Sequence, residues 1–119
     1  MAKILFIEDV QSTVMEYMSY LHRRGNEVYY SQNGIIGLKK LEEINPEIVI
    51  LDIGEDQLPG KNEKYTLSEE IKRRKPFVKI IGTSIQTPEN HETKHYDKIF
   101  EKSYFLQEEK LERMIRGLL

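Results

Sequence analysis

The stretch Ile48-Val49-Ile50-Leu51-Asp52 decides the fold: four apolar β-formers in a row, closed by a carboxylate. Four consecutive residues of this kind read as a strand buried on both faces, which requires a parallel sheet covered by helices on each side. In sheets of that type ligands sit in the crevice beyond the carboxyl ends of the strands, so Asp52 stands where chemistry is expected.

Working outward, Lys3 to Ile7 is a second apolar run stopped by acid, at Glu8 and Asp9. Val10, Val14, Tyr17, Met18 and Leu21 follow at helical spacing, and Gly25 after Arg23-Arg24 marks a helix end. Glu27 to Tyr30 reads as a short strand. Asn33-Gly34 opens a helix with Ile35 or Ile36, Leu38, Leu41 and Ile44 on its apolar face, ended by Asn45-Pro46. Beyond Asp52 lies a polar loop marked by glycine and proline, then a helix over Tyr65 to Arg74. A fourth strand spans Val78 to Gly82 and delivers Thr83 and Ser84. A fifth spans Lys98 to Glu101 and delivers Lys102. The last helix covers about Gln107 to Leu118, with Leu111, Met114, Ile115 and Leu118 on one face. Five alternations predict one three-layer α/β/α domain over residues 1–119, a doubly wound parallel sheet of five strands.

Composition narrows the function. The chain has 119 residues, 39% apolar and 32% charged, with a formal net charge of −2, which gives no basic surface for nucleic acid. The densest basic run, Lys72-Arg73-Arg74-Lys75, reads as a solvated helix end. There is no cysteine, which excludes disulfides and thiolate chemistry. The apolar run at Ile4 to Ile7 is too short for a signal peptide or a membrane span, so a cytoplasmic location is expected.

At the strand ends Glu8, Asp9 and Asp52 are expected to converge with Thr83, Ser84 and Lys102. Crowded carboxylates raise one another's pKa unless a cation joins them, and oxygen ligands suit Mg²⁺. An ammonium and a hydroxyl beside them suit a phosphoryl group, and a carboxylate can serve as its nucleophile.

The four segments Ile4-Leu5-Phe6-Ile7-Glu8-Asp9, Ile48 to Asp52, Ile80-Ile81-Gly82-Thr83-Ser84 and Ile99-Phe100-Glu101-Lys102 resemble, in order, those of the CheY-like receiver domains of bacterial two-component response regulators. The resemblance covers the whole chain and implies strand order 2-1-3-4-5. It implies Asp52 as phosphoacceptor, supplied by a sensor histidine kinase, a phosphotransfer protein or a small phosphodonor. It implies Asp9 as a direct Mg²⁺ ligand, Glu8 acting through water, Asp52 and the Gly54 backbone carbonyl as further ligands, and Thr83 and Lys102 binding the phosphoryl oxygens. Such a domain is not an enzyme beyond its own phosphorylation and dephosphorylation, and it signals by contact with a downstream protein, without nucleic acid or membrane.

The sequence departs from that pattern at four places. Ser103 follows Lys102 where the family has a cis proline, and a cis bond before a non-proline costs roughly 2.5–4 kcal/mol, so a trans turn is expected. Glu55-Asp56-Gln57 reads as a short insertion of solvated loop beside the metal site, the alternatives being that its carboxylates join a network around that site or repel the phosphate. Ile99 holds the family's switch-aromatic position, with Phe100 one place along, on the other face and in the core. Thr83 to Lys102 is short, which leaves the fourth helix short or absent. These departures keep a second reading open, a pseudo-receiver that acts as a phosphorylation-independent interaction module. His91-Glu92-Thr93-Lys94-His95 matches the zinc-protease pattern but lies in a poor helix former and reads as a polar segment. Gly54 to Lys61 fails the phosphate-loop spacing.

Overall fold

The computed structural model describes residues 1–58, 66–84, 95–102 and 106–119. Five strands, β1 (Lys3–Ile7), β2 (Glu27–Ser31), β3 (Ile48–Asp52), β4 (Lys79–Ser84) and β5 (Lys98–Glu101), form one parallel sheet in the order β2-β1-β3-β4-β5. Among the described residues four helices cover it: α1 (Met15–Arg23), α2 (Gly34–Ile44), α3 (Leu67–Arg74) and α4 (Glu108–Leu118).

Strand alternation divides the core in two. On one face Ile4, Phe6, Ile48, Ile50, Ile81 and Phe100 pack with Tyr17 and Leu21 of α1 and Leu111 and Ile115 of α4. On the other, Leu5, Ile7, Val49, Leu51 and Ile80 pack with Leu38 and Leu41 of α2 and Leu67 and Ile71 of α3. Phe100 is a core residue, 1% exposed, with its ring edge-on to Tyr17 at 5.7 Å.

The helix ends follow local chemistry. Gly25 stands at φ +96, a conformation that side chains resist, and its N–H donates to the His22 carbonyl as α1 stops. Asn33 Oδ1 accepts the Ile36 N–H at 2.8 Å to open α2, and Asn45 closes it in the left-handed region at φ 53. Asn33→Ala is expected to lower stability by about 1 kcal/mol, read as a lower urea midpoint at unchanged slope.

Several expectations need correction. Val10 is not on the α1 stripe: it is exposed, because a 3-10 turn at Gln11–Thr13 intervenes and the helix begins only at Met15. Of the two candidates Ile35 and Ile36, Ile35 is exposed and Ile36 half-buried, while Leu38 and Leu41 are buried as expected, with Gly34 and Gly37 beside them. β4 runs to Ser84, so Thr83 and Ser84 lie in the strand rather than beyond it. The basic run is paired rather than merely solvated: Lys72 with Asp97, Arg73 and Arg74 with Glu70, Lys75 with Glu42. α3 starts at Leu67, since Thr66 caps it by accepting the Glu69 N–H, while Tyr65 lies outside the described residues. The expected shortening of the fourth helix falls on residues 85–94, also outside the described residues, as do His91 and Ser103.

Candidate functional site at the carboxyl ends of the strands

One sheet face, extended past its apolar core, builds the site. Residues two apart on a strand share a face, so Glu8 continues Ile4 and Phe6, Asp52 continues Ile48 and Ile50, Thr83 continues Ile81, and Lys102 continues Phe100. Asp52 and Thr83 are register partners between β3 and β4, and Thr83 pairs in turn with Phe100 on β5. The Lys102 N–H donates to the Ser84 carbonyl at 2.7 Å, carrying the β4–β5 ladder up to the site.

Glu8, Asp9 and Asp52 each offer an oxygen within 4.8 Å of the others. Glu8 is buried and held from all sides: its N–H donates to Ser31, its carbonyl accepts the Tyr30 hydroxyl at 2.6 Å, Oε1 accepts the Val10 N–H, and Oε2 faces Lys102 Nζ at 3.1 Å. Burial pushes the Glu8 carboxyl above its usual range, Lys102 pulls it back, and the charge of Asp52 adds to the rise. Glu55 joins from the next turn; burial, then the charges of Asp9 and Asp52, push its carboxyl up, and it hydrogen-bonds Asp9. Oxygen-only donors whose negative charge Lys102 offsets only in part fit a hard divalent cation such as Mg²⁺. Gly54 lies against this cluster, where a Cβ would make only an ordinary contact with Asp52, 3.6 Å from Oδ2.

The chain thus brings together Glu8, Asp9, Asp52, Thr83 and Lys102, with Gly54 in a 3-10 turn, Ile53–Glu55, directly after Asp52. The solvated-loop expectation for Glu55-Asp56-Gln57 fails at Asp56. Its Oδ1 accepts the Ser68 N–H at 2.7 Å, and its Oδ2 accepts the Ser68 hydroxyl at 2.7 Å and the Tyr96 hydroxyl at 2.5 Å. Burial, with Asp56 alongside, pushes the Tyr96 phenol far above the usual tyrosine range, so it stays a donor. Neither Tyr96 nor Ser68 was identifiable as a partner of this loop from sequence, since they lie 40 and 12 residues away. His95 Nε2 is 3.4 Å from Glu69 on α3.

No protein-family model and no curated protein sequence matches the chain. Solved structures do. The response regulator protein TrrA of Thermotoga maritima, in complex with Mg²⁺-BeF, is 26% identical with a TM-score of 0.80, each chain covered in full. TrrA in complex with the histidine kinase ThkA is 27% identical with a TM-score of 0.77, covering 100% of this chain and 99% of that one. Chemotaxis protein CheY4 of Vibrio cholerae, 19% identical, superposes at a TM-score of 0.78 over 100% of this chain and 99% of its own. The fold of the chain is CheY-like, the fold of the response regulator receiver domains it superposes on.

Proposed function

We propose that this chain is the phosphoacceptor of a two-component phosphorelay, with Asp52 accepting the phosphoryl group. The observation that carries the reading is the extension of one sheet face into Glu8, Asp52, Thr83 and Lys102, with Asp9 beside them. In this reading an Asp52 oxygen forms a bond to phosphorus. The donor's P–N bond, on a histidine kinase or phosphotransfer protein, breaks, and its electron pair stays with the imidazole, which then takes a proton. From a small acyl phosphate the bond broken is P–O, and the carboxylate leaves.

Asp9 and Asp52, with the Gly54 carbonyl, would hold Mg²⁺ directly, and Glu8 through water. When bound, the ion supplies positive charge against the phosphoryl oxygens. Lys102 contributes a second positive charge and the Thr83 hydroxyl a hydrogen bond. The product carries about −1.5 to −2 of charge, enough to draw a donor and a loop towards it and so alter contacts with a downstream protein.

The test is Mg²⁺ with beryllofluoride, followed by amide NMR of the labelled protein. The expected result is saturable binding with the largest shifts around Asp52; no response at saturation overturns the reading. One observation favours the alternative of a phosphorylation-independent interaction module: Glu55 adds a fourth carboxylate beside Asp9 and Asp52, which repels an incoming phosphoryl group. Under that alternative wild type is silent and Glu55→Gln gains a response, whereas under the proposed function wild type responds and Glu55→Gln only tightens binding.

A further inference from the structure

The turn after Asp52 is anchored at two points, and both lead to the segment that enters β5. Ile53 and Ile99 meet over Gly82, where an added Cβ would lie 3.1 Å from one and 3.2 Å from the other. Asp56, at the far end of the turn, receives the Tyr96 hydroxyl together with both donors of Ser68. The neighbours of Tyr96 are tied down as well. His95 faces Glu69, and Asp97 accepts Lys72 Nζ and the Ile80 N–H, each at 2.8 Å. Three consecutive residues, His95, Tyr96 and Asp97, therefore hold α3 and its approach against the sheet.

We infer that the Asp56–Tyr96 hydrogen bond is the positioning contact through which a change at Asp52 reaches α3 and residues 95–97. The inference rests on the phosphoacceptor reading above and assigns Asp56 and Tyr96 as positioning residues. The physical reason is stiffness. Asp56 follows Asp52 by four residues, across a 3-10 turn whose end is closed by Asp56 N–H to Ile53 and Gln57 N–H to Glu55. A ligand that shifts this turn either carries Tyr96 with it or breaks a charge-assisted bond in a half-buried place, and such bonds are among the costlier to break. Ile99, at the position of the family's switch aromatic, has no hydroxyl to bring to such a network, whereas Tyr96 has one and uses it.

The experiment compares wild type, Tyr96→Phe and Ser68→Ala as full chains. Without ligand, hydrogen exchange at the Asp56, Gln57 and Ser68 amides is expected to quicken by about tenfold or more in Tyr96→Phe, as for loss of one charge-assisted bond. With Mg²⁺ and beryllofluoride, wild type is expected to show amide shifts at 52–57 and at 95–97. Tyr96→Phe should keep the first set and lose most of the second, while Ser68→Ala, which removes the hydroxyl that Ser68 donates to Asp56 but leaves Tyr96 bonded, should keep both. A merely structural role would change exchange rates without separating the two sets of shifts. Equal responses at 95–97 in wild type and Tyr96→Phe overturn the coupling alone. Silence at 52–57 in wild type overturns the proposed function, and the coupling with it.

Discussion

Asp52→Asn is expected to abolish phosphorylation by acetyl phosphate, seen by intact mass as loss of the one-phosphoryl adduct, while stabilising the protein when divalent cations are chelated. Both effects follow from one carboxylate. An amide oxygen is a poor nucleophile and cannot form the acyl phosphate, so the loss is complete rather than partial. The gain in stability comes from relieved repulsion: Asp52 lies among Glu8 and Asp9, and its charge raises the buried Glu8 carboxyl. The gain should be on the order of 1 kcal/mol, equivalent to less than one pKa unit of interaction. Magnesium should reverse the ranking, since a cation held at 100 times its dissociation constant adds about 2.7 kcal/mol to wild type and less to a site with one ligand weakened. The pH dependence has a definite sign. A carboxyl whose folded pKa is raised binds protons more readily in the folded state, so its contribution is full below the ordinary value of 4.5 and is lost as pH rises through the folded value. In EDTA, wild-type stability should therefore fall on this account as pH climbs from 4.5, and Asp52→Asn should flatten that fall. Urea midpoints across pH, with and without Mg²⁺, measure all of it. An Asp52→Asn protein that still gains a phosphoryl group moves the acceptor to another carboxylate.

The parts of this molecule legible from sequence are those fixed by local pattern. β1, β3 and β5 begin and end where the apolar runs meet charge, at Lys3–Ile7, Ile48–Asp52 and Lys98–Glu101. Alternation on those strands was enough to bring Glu8, Asp52 and Lys102 to one place. Misreadings arose where distant partners decide. Asp56 sits in a polar, loop-like string, and only the fold brings Tyr96 to it. Lys72 and Lys75 look like a solvated helix end until Asp97 and Glu42 are folded against them. Val10 fits the helical period, but the 3-10 turn before Met15 rotates it out of register and into solvent. Periodicity reports which face a residue shares with its neighbours. It is silent about which polar group forty residues away will complete a carboxylate.

Phe100→Ala is the substitution with the largest expected effect on stability, and it also separates two roles for this ring. Phe100 is 1% exposed and lies between the sheet and the α1–α4 layer, its ring edge-on to Tyr17 with planes 83° apart. Truncating a buried Phe costs about 3–5 kcal/mol, and an aromatic pair of this geometry adds about 0.5–1.5 kcal/mol beyond area. Against a total of about 5–15 kcal/mol for an ordinary domain, the variant should be partly unfolded at moderate temperature. The damage should also reach the site, because Lys102 follows two residues along the same strand face and Tyr17 accepts the Gln107 N–H at the start of α4. Phe100→Leu is the discriminating partner. It keeps most of the apolar volume and should cost only about 1 kcal/mol, within the range of volume-conserving swaps. If Phe100 is packing alone, Phe100→Leu binds Mg²⁺ and beryllofluoride as wild type does, with amide shifts at 95–97 intact. If the ring were a displaced switch that must rotate when Asp52 is charged, Phe100→Leu would hold its urea midpoint yet lose those distal shifts. The edge-on contact with Tyr17 and the near-complete burial place the expectation on packing, in keeping with the transmission proposed for Asp56 and Tyr96.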